Sequence, residues 1–158
     1  MASPTSTAAT PLLPASELEA KHYYHGLPSR PVLVARTGKD TWKLPTGPWA
    51  YLRDKELRPV GDHLLKEVWD NHLIAPILNI LKSKEVKWTS IDVVRIGFAD
   101  ESVAPVVVWI GVKPDTLSRE DGFAVANECK QLLVAKKIHD VEVEIRESIV
   151  TRLVKITS

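Results

Sequence analysis

At 158 residues the chain has the length of one ordinary domain plus some tail, enough to bury a core without disulfides or metal. Hydrophobic residues at 44% and charged residues at 26% exclude wholesale disorder and a membrane-spanning protein. Lys plus Arg at 21 against Asp plus Glu at 20 leaves a formal charge of +1, which supplies no global field towards nucleic acid or anionic lipid.

"MASPTSTAATPLLPASELEA", residues 1–20, has neither a basic n-region nor an unbroken apolar run, and Pro4, Pro11 and Pro14 interrupt it. It reads as a disordered leader. In residues 21–60, by contrast, Tyr23, Tyr24, Trp42, Trp49 and Tyr51 are interleaved with Pro28, Pro31, Pro45, Pro48 and Pro59. Proline removes donors and biases its predecessor towards extended backbone, so regular structure is expected only as a short strand at "PVLVAR", residues 31–36. Aromatics in this number are seldom left in water, and the segment reads as an extended arm wrapping the domain. Within it, "KHYYHG" spaces His22 and His25 as H-x-x-H. Two imidazoles without a nearby Cys or carboxylate pair are too few ligands for a structural Zn²⁺, which leaves aromatic packing and, for Tyr23 and Tyr24, contact with a partner.

From Asp62 apolar residues recur at helical spacing over about five turns: Leu65, Val68, Trp69, His72, Leu73, Ile77 and Leu81 lie on or near one stripe. Asp62 is the expected N-cap, His72 a satisfied core residue, and Pro76 the expected kink or break. "SIDVVRIGF" (90–98) and "PVVVWIGV" (105–112) follow, both rich in β-branched residues and separated by "ADESVA", which reads as a hairpin. The second is apolar on both faces, as suits a central strand. After Pro114, the oxygens of Asp115, Thr116 and Ser118 are placed to cap a helix from about Arg119 to Lys137. Its stripe of Gly122, Val125, Ala126, Cys129, Leu132 and Leu133 puts the single cysteine in the core. With no second cysteine there is no internal disulfide, and a reducing interior, cytoplasmic or nuclear, is the expected compartment.

"VEVEIRES" alternates strictly, with Val141, Val143 and Ile145 on one side and Glu142, Glu144 and Arg146 on the other. It reads as a strand with one wet face, parallel to 105–112 through a right-handed crossover. "IVTRLVKITS" is β-prone and either extends it or folds back. The expected fold is α+β: a small mixed sheet, hairpin plus β-α-β crossover, packed by two helices. Residues 61–158 form this α-β-β-α-β core behind the arm.

The order of elements, with Asp92 on the first hairpin strand and Lys113 ending the second, resembles restriction-endonuclease-like nucleases. There carboxylates hold Mg²⁺ and a lysine steadies the attacking water. The triplet ending in Lys113 reads Gly111, Val112, Lys113, so the second metal-binding carboxylate is missing, and only Glu67 on the preceding helix is at hand to replace it. Asp92, Lys113 and Glu67 with Mg²⁺ therefore constitute an alternative reading, of a diverged and degenerate nuclease. No glycine loop for a nucleotide phosphate occurs, and the small basic groups are broken by acids. On an edge strand, the alternating charges of Glu142, Glu144 and Arg146 serve first to blunt unwanted pairing; their functional reading is an interaction edge to which a partner strand, from another protein or a second copy, is added.

"KHYYHGLPSRPVLVARTG", "LRPVGDH", "WTSIDVVRIG", "WIGVKPDTLS" and "DVEVEIRES" together resemble a recurrent fungal module found at the N-terminus of larger, uncharacterised proteins. The likeness spans residues 21–152. It implies a stand-alone module and brings no established activity, cofactor or catalytic residues to carry over. The leading expectation is therefore a non-catalytic intracellular domain acting through protein contacts.

Overall fold

The computed structural model describes residues 13–48 and 50–148. The strand Val106–Val112 (β4) is buried along its whole length, because its apolar side chains meet packed layers on both faces and both its edges are paired. Trp88–Phe98 (β3) runs antiparallel on one flank, and Val141–Glu147 (β5) runs parallel on the other. Two further strands come from the segment before residue 61. Val32–Arg36 (β1) pairs antiparallel with β5, and Lys55–Arg58 (β2) pairs antiparallel with β3. The fold is α+β, with a five-stranded mixed sheet of order β1-β5-β4-β3-β2.

This topology changes two expectations. The segment read as an arm supplies both edges of the sheet, so a core drawn at 61–158 cuts through the sheet itself. β5, read as a strand with one wet face and an open edge, lies between β4 and β1, and Glu144 and Arg146 on its polar side are only 5% and 7% exposed. Residues 17–20, read as part of an unpacked leader, belong to the helix Glu17–His22 (α1). Ser16 accepts a capping hydrogen bond from the Glu19 amide, and Ala20 is buried. The rest of that leader up to residue 12, Trp49, and the β-prone segment from residue 149 lie outside the described residues.

The apolar stripe after residue 62 forms Leu65–Val68 (α2), a π-helical turn over Trp69–Leu73 and Ile74–Ser83 (α3). The break falls one turn before Pro76 for a steric reason. A proline ring in an α-helix collides with the carbonyl four residues back, here His72, and the wider turn, in which the Ile74 amide reaches the Trp69 carbonyl, relieves that collision. The added residue shifts the helical phase and leaves His72 exposed, not in the core. The cap also differs: His63 Nδ1 accepts the Leu65 amide at 3.0 Å, in place of Asp62.

Helix Arg119–Ala135 (α4) begins at Ser118, whose hydroxyl accepts the Asp121 amide at 3.0 Å. Asp115 and Thr116 do not cap it. The Thr116 hydroxyl turns back to the Lys113 carbonyl, and Asp115, at φ 62°, has its amide bound by Glu147. Helices α2, α3 and α4 cover the face of the sheet carrying Val108, Ile110, Val143 and Ile145, where Leu65, Ile77, Leu81, Cys129 and Leu133 complete the main core. Each such burial is worth about 1.5–3 kcal/mol. The opposite face, with Val107, Trp109, Leu33 and Ile96, is closed by Tyr24 and Leu27 just beyond α1.

Candidate functional site

Among the described residues, the face closed by α1 holds most of the buried ionisable groups. A short capped helix delivers two consecutive tyrosines to it. Tyr24 Oη donates to Glu144 Oε1 at 2.7 Å and accepts from Trp109 Nε1 at 3.0 Å, while Tyr23 Oη donates to Glu144 Oε2 at 3.0 Å. Glu144 thus satisfies both carboxyl oxygens without water. Burial raises its pKa, against the opposing pull of the Tyr24 hydrogen bond and the Lys55 charge. Burial and then the neighbouring Glu144 charge push both phenols well above their ordinary range. Arg146 lays its guanidinium 3.4 Å from the Trp109 ring and donates to Ser90 Oγ at 3.2 Å; burial lowers its pKa. Arg36 pairs with Glu19 and Asp40, and Glu142 accepts the Thr37 hydroxyl at 2.6 Å.

Of the binding residues expected from sequence, Tyr23, Tyr24, Glu144 and Arg146 come together; Tyr24, Glu144 and Arg146 are interior structure, while Tyr23 is half-buried. Alternating polarity was a poor guide to solvent here, because the acid and the cation of β5 find their partners in residues of the N-terminal segment and in Trp109. Glu142 is likewise tied inward, to Thr37 and, at 3.4 Å, to Lys130. His22 stacks on Trp42 with ring centroids 6.5 Å apart, and His25 lies 3.2 Å from Asp54, so the two imidazoles serve different neighbours.

The nuclease set does not assemble. Asp92 stands opposite Trp109, half-exposed and 3.7 Å from Arg146 Nη2, on the α1 side of the sheet. Glu67 is on α2, which packs against the other side. Lys113 is exposed and its amide bonds the Lys87 carbonyl, which puts it about 13 Å along β4 from the Asp92 position. Among the described residues no group of three His, Cys, Asp or Glu could hold a metal ion, and no helix is long and apolar enough to cross a membrane.

What the sequence reading missed is Lys55. It opens β2 opposite Phe98, on the α1 side of the sheet, and its Nζ sits 3.3 Å from the Tyr23 ring centroid, 5.4 Å from Phe98 and 5.9 Å from Tyr24. Gly26 makes this placement possible. At φ 101° its Cα passes so close to β2 that a Cβ would lie 2.7 Å from the Lys55 nitrogen, and the Lys55 amide bonds the His25 carbonyl at 2.8 Å. Burial lowers the Lys55 pKa to about 8, although Glu144 favours the charged form. Among the described residues Lys55 forms no ion pair.

Beside Lys55 opens a cleft of about 610 Å³ walled by Tyr23, Trp42, Tyr51, Phe98 and Val103. Arg53 closes one side, its guanidinium 4.0 Å over the Phe98 ring and bonded to Asp100 and Glu101. The aromatics of its wall, Tyr23, Trp42 and Tyr51, stood out in the sequence, but the only signal for Lys55 itself was its spacing from Leu57, which puts both on one face of a strand. In "RDKELRP" that signal is hidden among charges of both signs. Searches against protein-family models, curated proteins and solved structures find no match for this chain.

Proposed function

We propose that the protein is a non-catalytic intracellular binding module that acts through protein contacts, and that the cleft beside Lys55 is where a partner docks. The partner chemistry that fits is an acidic peptide segment, with one carboxylate on the Lys55 ammonium and an apolar side chain against Tyr51 and Val103. A single observation carries this reading: a half-buried cation with no ion pair among the described residues adjoins two apolar side chains that are 74% and 75% exposed. A desolvated charge next to an accessible apolar surface is favourable ground for a complementary ligand. Tyr23 joins the cleft to the cluster around Glu144, since it lines the one and donates to the carboxylate of the other.

Fluorescence anisotropy with labelled peptides that place Glu or Asp beside Phe or Leu tests this directly. Lys55→Met and Tyr51→Ala are each expected to weaken binding by roughly tenfold, about 1.4 kcal/mol. Affinity for wild-type protein should be constant below about pH 8 and fall above it, as Lys55 loses its proton. Equal binding of Lys-for-Glu peptides, or variants that bind as wild type does, would remove the proposal.

A further inference from the structure

The cleft also contains an amine placed for covalent chemistry. Lys55 lines the cleft, with its Nζ against the face of Tyr23 and 5.4 Å from the Phe98 ring centroid, both residues of the same cleft wall, and among the described residues no carboxylate is paired with it. Most lysines are spared reaction because they are hydrated ammonium ions; an amine held among aromatic rings and open to a cavity is not. We propose that Lys55 captures a small aromatic aldehyde, which enters the cleft and condenses with Nζ to a reversible imine.

The groups facing Nζ are Glu19, Tyr23 and Tyr24 from α1 and its end, Arg36 and Asp40 from β1 and the turn after it, and Glu144 from β5. Glu144, Asp40 and Glu19 favour the ammonium, as does the Tyr23 ring face, while Arg36 opposes it. Burial outweighs these, and the amine titrates near 8. The neutral, nucleophilic amine is therefore reached at a lower pH than in an ordinary lysine. In the reaction the Nζ lone pair attacks the carbonyl carbon and the C=O π pair becomes an oxyanion. Transfer of a proton from nitrogen to that oxygen gives a carbinolamine. Loss of the hydroxyl with the second nitrogen proton, as water, forms the C=N bond. Amine and aldehyde thus give imine and water, with no oxidant or reductant required. The ring of the aldehyde would pack among Trp42, Tyr51 and Phe98.

This inference rests on the cleft and its amine, not on a peptide being the natural ligand. The full chain would be treated with benzaldehyde and sodium cyanoborohydride between about pH 7 and 10, and each lysine's reductive alkylation followed by peptide mass spectrometry. Lys55 should be labelled at least roughly tenfold faster than Lys43, an exposed lysine of the same cleft, with a rate that levels off above about pH 8. Lys55→Arg, checked for folding by circular dichroism, should abolish the fast phase. Tyr51→Ala should slow labelling by benzaldehyde by a larger factor than it changes labelling by formaldehyde, which has no ring to pack. Equal rates at Lys55 and Lys43, a Lys55 profile still rising towards the ordinary lysine range, or indifference of benzaldehyde labelling to Tyr51 would overturn the proposal. Peptide binding lost with labelling retained, or the reverse, separates it from the docking proposal.

Discussion

Tyr24 and Lys55 play opposite parts on the α1 face. Tyr24 connects Glu144 to Trp109, donating to one and accepting from the other. Tyr24→Phe leaves a buried carboxyl oxygen and an indole N–H without partners, and is expected to cost about 2–4 kcal/mol in urea unfolding at unchanged m-value. Lys55 acts in the opposite sense. Below about pH 8 it is charged in both folded and unfolded states, and the folded state bears the full cost of its burial. Between about 8 and the ordinary 10.5 the unfolded chain holds a proton that the folded one has released, so stability rises with pH; above that both are neutral and the cost is gone. Lys55→Met should therefore be more stable than wild type by about 1–3 kcal/mol at pH 7, with the margin vanishing near pH 10.5. Thermal melts of both proteins across that range measure it, and a margin independent of pH would contradict the assignment.

Single contacts decide how the elements lie on one another. α4 rests on β1 through Gly122, where a Cβ would meet Val34 Cγ1 at 2.6 Å. Alanine is the better helix former by about 1 kcal/mol, yet the overlap is with a buried branched side chain and outweighs that gain. Gly122→Ala should lose about 1–2 kcal/mol by chemical denaturation, and much less in a Val34→Ala background. At the start of the same helix, Ser118→Ala should cost about 1 kcal/mol through the lost cap. The element boundaries were legible where such local chemistry rules. Ser118 and the stripe from Gly122 to Leu133 locate α4 to within two residues of its end. They were not legible where a distant group intervenes. β2, with the sequence Lys-Glu-Leu-Arg, has no strand-forming residue and is a strand because β3 lends it a ladder.

At the scale of the molecule, both sheet edges and the lid on Trp109 come from the N-terminal segment. A fragment of residues 61–158 would expose Val107 and Trp109 and leave β3 and β5 each with an unpaired edge. That fragment is expected to bind a hydrophobic dye, to self-associate and to unfold without a cooperative transition. A sharp unfolding transition with native-like near-ultraviolet circular dichroism would show instead that the segment only decorates a finished core. The candidate site depends on the same assembly, since Tyr23, Lys55 and Phe98 meet only once α1, β2 and β3 are joined.

The sequence by itself determined the periodicity of β3, β4, β5 and α4, the cap at Ser118 and the burial of Cys129, because each depends on residues within one or two turns of one another. Only the tertiary structure decided which face of β5 is dry and where a lysine loses its water. The Tyr24 to Glu144 bond joins residues 120 apart in the chain. The physical reason is that polarity along a strand states which residues need partners, while the fold decides whether those partners are water or protein.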